Sequence, residues 1–230
     1  MSSNRLVNPN TESVDNYLKA ILVLSGPEER SVSSTALAQR LQVAPASVTN
    51  MLQKLAGAPS HHVVYEKHRG VRLSPQGRRR ALEILRHHRL IETFLYEILD
   101  YPLEEIHEEA ERLEHFISEK LEDRMAAKLG DPETDPHGHL IPEKSGAVPI
   151  RDEVPLSNWA CGVPATVSSV SDRDASALRE MERLGLRPGV AIVVDAGVRS
   201  ASLLVRIGTR LTSARLSQRL AGLVSVIPVS

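Results

Sequence analysis

The chain has 230 residues, enough for two or three small domains with a sizeable hydrophobic core. No apolar run approaches the roughly 20 residues that a transmembrane helix needs, and the polar start MSSNRLVNPNTES is not typical of a signal peptide. The single cysteine, Cys161, excludes an internal disulfide and a thiolate cluster. We therefore expect a cytoplasmic protein with no membrane partner.

The net charge of −1 hides three blocks of alternating sign. Residues 1–90 hold 13 basic against 6 acidic side chains, residues 91–143 hold 4 against 16, and residues 144–230 hold 11 against 7. A basic block suits a polyanion, and an acidic block suits cations. The charge pattern thus predicts three functional segments, the first for a polyanion and the second for cations.

The N-terminal part predicts a helix followed by a helix-turn-helix. We expect residues 1–12 to form a loose polar arm and Ser13 to cap a helix through about Leu24. Two further helices follow, one over roughly Ser34 to Leu41 and one that begins at Pro45, since proline is favoured at the first helical position. In this motif the second helix enters the major groove of DNA. The residues predicted to face DNA are Ala46, Ser47, Thr49, Asn50 and Lys54.

The stretch HHVVYEKHRGVRLS predicts two strands joined by a short basic turn at Gly70. Lys67 and Arg69 lie in this turn, where they would contact the phosphate backbone. The alternative is an ordinary solvated hairpin tip. Because the hairpin follows a helix-turn-helix, the pattern favours a winged helix.

Histidines and carboxylates recur at helical spacing on the next two predicted helices. The first begins at Ser74-Pro75, runs about 25 residues and carries His88 and Glu92 at i and i+4. The second, from Leu103 to about Ser118, carries four such residues at i, i+4, i+7 and i+8, on one face: His107, Glu111, Glu114 and His115. This donor set suits Mn(II) or Fe(II), although Zn(II) and Co(II) also bind it. The alternative is a solvated acidic face, which explains the glutamates better than the histidines.

The last third changes character. The turn-rich segment GDPETDPHGHLIPEK contains Asp135, His137 and His139 as possible further ligands, and residues 144–153 read as a linker. From Pro155 onward, four strand-like segments (ATVSSVSD, GVAIVVDAG, SLLVRIG and LVSVIPV) and one helix (DASALREMERLG) predict a small barrel of about 75 residues. The predicted fold class is mainly α with a small β domain.

The order of these segments resembles the metal-dependent repressors of the diphtheria toxin repressor and manganese transport regulator family. The stretches that carry the resemblance are VAPASVTNMLQKL, YEKHRGVRLSPQG, RHHRLIE and HEEAERLEH. It covers nearly the whole chain and implies four parts. These are a winged helix-turn-helix DNA-binding domain (1–74), a helical metal-binding and dimerisation domain (75–143), a linker (144–154) and an SH3-like domain of the ferrous iron transport accessory (FeoA) type (155–230).

The resemblance also implies metal ligands. It assigns His88, Glu111, Glu114 and His115 to metal sites, and a second site would combine Glu92, Asp135, His137 and Asp172, joined by His107. Glu111 stands where iron-type members have cysteine and manganese-type members have glutamate, which favours manganese. The family's first-helix ligand falls on Asn16, which offers only a neutral carbonyl. A further ligand of binuclear manganese members falls on Lys19, which argues against their two-metal arrangement.

These observations together predict a regulator and no enzyme. We expect a homodimeric repressor that binds a palindromic DNA operator, senses cytosolic Mn(II), controls metal-uptake genes and has no small-molecule substrate. The alternatives are an Fe(II)-responsive regulator of the same family and a metal-independent winged-helix protein. A dimetal carboxylate enzyme would need a substrate cavity and a catalytic base, which no motif supplies.

Overall fold

A computed structural model describes residues 9–57, 61–195, 202–208 and 212–229. The N-terminal elements are helices α1 (Pro9–Ser25), α2 (Ser34–Leu41) and α3 (Pro45–Gly57), strands β1 (Val63–Glu66) and β2 (Gly70–Leu73), and helices α4 (Pro75–Leu99), α5 (Ile106–Leu113) and α6 (Glu119–Lys128). Then follow β3 (Val154–Pro155), a 3-10 turn (Leu156–Asn158), β4 (Pro164–Val170), α7 (Ala175–Leu184), β5 (Ala191–Val194), β6 (Ser202–Ile207), β7 (Thr212–Ser217), α8 (Gln218–Ala221) and β8 (Val224–Pro228). The predicted class, mainly helical with a small β domain, is confirmed. None of the described helices is long and apolar enough to cross a bilayer.

The first compact unit comprises Met1–His88, Arg112–Leu121 and Pro142–Ala147. Helices α1, α2 and α3 and the hairpin β1-β2 share one core, whose fully buried side chains include Leu18, Ile21, Leu37, Val48, Leu52 and Val71. Ser33 caps α2, since its hydroxyl accepts a hydrogen bond from the Ala36 N–H at 3.1 Å. Three helices and an antiparallel hairpin in this order form a winged helix.

The hairpin is bonded to the segment that connects α1 and α2, and a glycine permits the close approach. Val32 and Val71 exchange two backbone hydrogen bonds of 2.9 Å. Gly70 lies beside them with a φ of 96°, and a Cβ there would lie only 2.5 Å from the Val32 carbonyl oxygen. Only glycine fits both the conformation and the space. These contacts fix the position of the hairpin relative to the segment between α1 and α2.

Two helix boundaries differ from the predictions. Helix α1 begins at Pro9, so the prediction of a loose arm is wrong for residues 9–12, and Ser13 lies inside the helix rather than at its cap. The physical reason is that proline is pre-organised for the first helical position. The remainder of the predicted arm, residues 1–8, lies outside the described residues.

Helix α5 is shorter than predicted, running from Ile106 to Leu113 instead of from Leu103 to about Ser118. The Phe116 N–H donates to the Leu113 carbonyl at 3.0 Å, which closes a tight turn. Glu114 and His115 lie in this turn. The prediction that they share one helix face with His107 and Glu111 is therefore wrong.

The second compact unit comprises Arg89–Glu111, Glu122–Ile141 and Val148–Ser230. Its six-stranded antiparallel sheet has the order β3-β8-β4-β5-β6-β7. Helix α7 buries Leu178 and Met181, is capped by the Asp174 carboxylate and ends at Gly185, which has a φ of 76°. Strands β4, β5, β6 and β8 and helix α7 match the predicted segments, whereas β3, β7 and α8 were not predicted.

Candidate metal centres and DNA-binding surface

Helix α3 presents a polar face to solvent and an apolar face to the core. Val48, Leu52 and Leu55 are buried. The predicted DNA-facing residues lie away from them: Ala46, Ser47, Asn50 and Lys54 are exposed, and Thr49 is half-buried. The Thr49 hydroxyl donates to the Pro45 carbonyl at 3.2 Å. Contact of these five residues with DNA stays a prediction.

The wing tip carries the other predicted DNA contacts. Lys67 and Arg69 are exposed, and Arg69 forms a 3.1 Å ion pair with Glu66 across the turn. Such an exposed pair contributes little to stability, so the guanidinium is available to a stronger anion. Phosphate contact by these two side chains also stays a prediction.

Six residues of the first unit form what we call the Glu114 cluster: Asp15, Asn16, Lys19, His88, Glu114 and His115. Helix α1 supplies the first three, α4 supplies His88, and the turn after α5 supplies the last two. The Glu114 carboxylate is fully buried, with Oε2 2.5 Å from Nδ1 of His88. The Lys19 ammonium donates to both carboxylate oxygens, at 2.6 and 2.8 Å. The carboxylate is thus already neutralised by a side chain.

His115 links Glu114 to helix α1. Its Nε2 lies 3.0 Å from Oδ1 of Asn16 and 3.4 Å from Oε1 of Glu114, and its Nδ1 lies 3.5 Å from Oδ2 of Asp15. Burial alone would raise the pKa of Asp15, but hydrogen bonds from His115 and Arg80 outweigh it and hold that pKa below its usual value. Asp15 is therefore ionised at neutral pH and places a negative charge beside the imidazole of His115.

Six residues of the second unit form what we call the His137 cluster: Glu92, His107, Asp135, His137, His139 and Asp172. The Nδ1 atom of His107 lies 3.2 Å from Oε1 of Glu92 and 3.4 Å from Oδ2 of Asp172. One ligand atom from each of these three residues lies within 4.8 Å of the others. Glu111 lies at the margin, with Oε1 3.8 Å from Nε2 of His107. Side chains from α4, α5 and the segment after β4 thus converge.

The loop 135–139 completes this cluster. Oδ1 of Asp135 accepts the backbone N–H groups of His137 and His139, both at 2.9 Å, and Oδ2 lies 3.2 Å from Nδ1 of His139. Ligand atoms of these three residues also lie within 4.8 Å of one another. The carboxylate therefore shapes the loop that presents both imidazoles.

His137 is the most informative side chain of the cluster. It is fully buried, its Nδ1 is 3.9 Å from Oε2 of Glu92, and neither ring nitrogen has a hydrogen-bond partner among the described residues. Buried polar groups are nearly always satisfied, so an imidazole placed this way between carboxylates fits a metal ligand. The His137 cluster thus fits a divalent cation by the chemistry of its donors.

Charged neighbours shift the pKa values of His139 and Asp172 in the His137 cluster. Burial lowers the pKa of His139, but the Asp135 carboxylate outweighs it and raises that pKa above its usual value. Burial raises the pKa of Asp172, but the positive charge of His139 and other histidines nearby brings it below its usual value. Asp172 is accordingly ionised at neutral pH, as a metal ligand must be.

The 135–139 loop packs against β4 where the pairing of that strand is irregular. The pairing of β4 with β8 shifts register between Val167 and Ser169. The Val170 N–H donates to the His137 carbonyl at 2.9 Å. Gly138 has a φ of 87°, and a Cβ there would lie 2.2 Å from the Ser168 carbonyl oxygen. Backbone contacts thus place His137 next to the strand that leads to Asp172.

The structure groups most of the predicted ligands but leaves their roles as predictions. It brings Glu92, His107, Asp135, His137 and Asp172 together, and separately Asn16, His88, Glu114 and His115. Glu111 lies beside His107, at the margin of the His137 cluster. The pairing of Lys19 with Glu114 and that of Arg80 with Asp15 were not predicted, because no local pattern marks an ion pair so distant in sequence.

Comparison with known families agrees with this architecture. Residues 10–71 match the profile described as iron dependent repressor, N-terminal DNA binding domain. Residues 74–143 match the iron dependent repressor, metal binding and dimerisation domain, and residues 154–228 match the FeoA domain. These matches define the class: a DNA-binding transcriptional regulator with a metal-binding and dimerisation domain, and not an enzyme.

The chain belongs to the iron-dependent repressor family, which confirms the predicted resemblance. It is 32% identical to the iron-dependent repressor IdeR of Mycobacterium tuberculosis H37Rv over 203 residues, which cover 82% of this chain and 86% of that protein. It is 35% identical to the transcriptional regulator MntR of Geobacillus kaustophilus over 116 residues, covering 50% of this chain and 79% of that protein. Relatives named for iron and for manganese regulation thus both occur.

Solved structures show the same fold. A manganese-dependent transcriptional repressor in complex with manganese superposes with a TM-score of 0.87 at 34% identity, covering 94% of this chain and all of that one. The regulator ScaR with bound Zn²⁺ gives a TM-score of 0.78 at 30% identity, covering 94% of this chain and 99% of that one. The likeness extends over both compact units.

Proposed function

We propose that this protein is a Mn(II)-sensing repressor of metal-uptake genes, with Fe(II) as the alternative effector. The observation that carries the proposal is the buried His137, whose two ring nitrogens have no hydrogen-bond partner among the described residues, between carboxylates. A site of imidazole and carboxylate donors without thiolate suits these two ions. The named manganese and iron regulators among its relatives support the same pair of effectors.

Manganese is preferred over iron because of the donors at two positions. Glu111 and Asp135 stand where, by the resemblance to the family, some members have cysteine. Oxygen is a harder ligand atom than sulfur, so a carboxylate at each of these positions favours Mn(II). Cys161, the single cysteine, lies elsewhere, in the turn before β4.

The proposed ligands fall into the two clusters. In the His137 cluster Glu92, His107, His137 and Asp172 would hold the ion, with Asp135 beside them and Glu111 at the margin. In the Glu114 cluster the candidates are Asn16, His88, Glu114 and His115. In the His137 cluster, a bound divalent ion would supply positive charge between the carboxylates. The protein's part is to orient the donors: the Asp135 carboxylate holds the loop, and β4 holds the backbone of His137.

The proposed target is a palindromic operator bound by a homodimer. Within residues 112–121, three apolar side chains are exposed: Leu113, Phe116 and Leu121. Exposed apolar groups clustered this way mark an interaction surface, and this stretch belongs to the part that matches a dimerisation domain. Two recognition helices related by a two-fold axis would read half-sites about 34 Å apart.

The test is fluorescence anisotropy of a labelled palindromic operator at fixed salt, with chelator, Mn(II), anaerobic Fe(II) or Zn(II). We expect binding with Mn(II) at the lowest metal concentration, and loss of that response in His137→Ala and Asp172→Ala. The matched control is Asp152→Ala, an exposed aspartate of the same unit. Tighter binding with Fe(II) would shift the assignment to iron, and equal binding in chelator would contradict metal sensing.

A further inference from the structure

We infer that Lys19 is an internal cation that competes with metal for Glu114, so that the Glu114 cluster binds metal more weakly than the His137 cluster. The inference rests on the proposed function, because it assigns different metal affinities to the two proposed sites. It concerns a residue that, by the resemblance, stands where binuclear manganese members of the family carry a metal ligand.

The first step is the geometry of the ammonium. Lys19 Nζ lies 2.6 Å from one oxygen of Glu114 and 2.8 Å from the other. Only 9% of the Lys19 side chain and none of the Glu114 side chain is exposed to solvent. A charge-assisted bond to both oxygens in a buried place is among the stronger side-chain interactions. The ammonium thus bonds both oxygens of the carboxylate that a metal ion at this cluster would need as a ligand.

The second step is the rest of the carboxylate's surroundings. Oε2 of Glu114 lies 2.5 Å from Nδ1 of His88, and Oε1 lies 3.4 Å from Nε2 of His115. Asn16 contributes a neutral carbonyl that faces His115. As arranged, these residues suit a divalent ion less well than the His137 cluster does, since Glu114 is neutralised and Asn16 adds no charge. Ammonium and metal ion would repel each other at so short a distance.

The His137 cluster provides the contrast. It gathers the carboxylates of Glu92, Asp135 and Asp172, and the guanidinium of Arg89 lies 3.6 Å from Asp135. Its buried imidazole, His137, has no hydrogen bond at either nitrogen within the part of the chain that the structure describes. A metal ion at the His137 cluster is therefore attracted by an excess of negative charge. At the Glu114 cluster the charge of the carboxylate is already balanced by Lys19. The two sites should fill at different concentrations, the His137 cluster first.

The ion pair also has a role without metal. Lys19 belongs to α1 and Glu114 to the turn after α5, so their bond joins two segments of the first unit that lie far apart in the chain. In the metal-free protein the ammonium keeps these segments together. Lys19 thereby sets the metal concentration at which the Glu114 cluster responds.

The experiment is calorimetric titration of the full-length chain with Mn(II), in a His137→Ala background that isolates the Glu114 cluster. We expect Lys19→Met to tighten Mn(II) binding there by about tenfold or more, since an adjacent like charge is removed. Lys19→Arg retains the charge and should behave as the parent. Lys120→Met, which removes an exposed lysine of the same unit, should also leave the titration unchanged.

A second readout does not depend on metal. In chelator, Lys19→Met should lower the unfolding midpoint because a buried carboxylate loses its partner, and adding Glu114→Gln should restore much of the loss. If Lys19→Met does not fold, Lys19→Gln replaces it. Unchanged or weaker Mn(II) binding in the neutral variants would overturn the inference. Absence of Mn(II) and Fe(II) binding by the wild-type chain would instead overturn the proposed function. The unfolding midpoints of Lys19→Met with and without Glu114→Gln, measured in chelator, would still report the strength of the ion pair.

Discussion

Arg80 donates two hydrogen bonds to Asp15, from Nε to Oδ1 at 2.8 Å and from Nη2 to Oδ2 at 2.6 Å. The pair fastens α1 to the start of α4 inside the first unit. Because the Asp15 side chain is only 2% exposed, Asp15→Asn should lower the free energy of unfolding by about 1–3 kcal/mol in metal-free urea titrations. Glu83→Gln is the control, since Glu83 bonds the same guanidinium at 2.8 Å but is 43% exposed, and it should cost less than about 1 kcal/mol.

The same pair predicts a pH dependence. The folded-state pKa of Asp15 is lowered, so its stabilisation is complete above the unfolded pKa of about 3.9 and is lost as pH falls through the lower folded-state value. The stability difference between wild type and Asp15→Asn should therefore shrink below about pH 4. Urea midpoints measured between neutral and acid pH test this. A difference that stays constant would contradict the assigned charge.

Gly138→Ala should disrupt the His137 cluster without touching a ligand. Its Cβ would lie 2.2 Å from the Ser168 carbonyl oxygen at a φ of 87°, so the 135–139 loop must move away from β4. We expect Mn(II) affinity to fall by roughly tenfold or more, as is typical when the support of a ligand is lost. The matched control is Gly130→Ala, which also has a positive φ, 76°, but has nothing within 4 Å of the added atom. Equal metal affinity in both variants would argue against this support.

Lys67→Ala and Arg69→Ala should weaken operator binding on every DNA sequence alike. Each removes one exposed positive charge from the wing, so the slope of log affinity against log salt should fall in magnitude by about 1 per variant. Anisotropy at a series of salt concentrations measures the slope. Arg179→Ala removes an exposed arginine from α7 and should leave the slope unchanged. A changed sequence preference in the wing variants would instead indicate contact with bases.

Phe116→Glu should dissociate the dimer. Phe116 is 58% exposed and sits between the exposed Leu113 and Leu121 in the segment assigned to dimerisation, where a charge would have to be buried. Light scattering after gel filtration should show a monomer, with weakened binding to a palindromic operator. Ile150→Glu alters a side chain that is 88% exposed outside this segment, and it should remain dimeric. A dimeric Phe116→Glu would place the interface elsewhere.

Local signals in the sequence were enough to predict much of the helical scaffold. The predicted starts of α2, α3 and α4 at Ser34, Pro45 and Pro75 agree with the structure, because caps and N-terminal prolines are short-range features. The 25-residue length of α4 followed from the absence of a breaker before Asp100. Strand β7 was missed, since TSARLS has little β-branched or aromatic character and gains its order from pairing with β6.

The candidate site shows where local reasoning ends. Helical periodicity placed Glu114 on a helix, whereas a turn closed by Phe116 and Leu113 holds it in the structure. Its partner Lys19 is 95 residues away, a distance over which spacing carries no information. Side-chain pairing of this kind depends on tertiary packing, which a linear pattern does not contain.

The main-chain bonds between the 135–139 loop and β4 have an evolutionary consequence. The carbonyl of His137 is held by the Val170 N–H, and Gly138 rests against the backbone of Ser168, so no side chain is needed to bring loop and strand together. We therefore expect a substitution at Asp172, a proposed ligand, to change a donor atom while this scaffold is kept, whereas Asp135 also holds the loop backbone and is less free to change. In a fold built this way, a single replacement at a ligand position is expected to change the preferred ion without a change of scaffold.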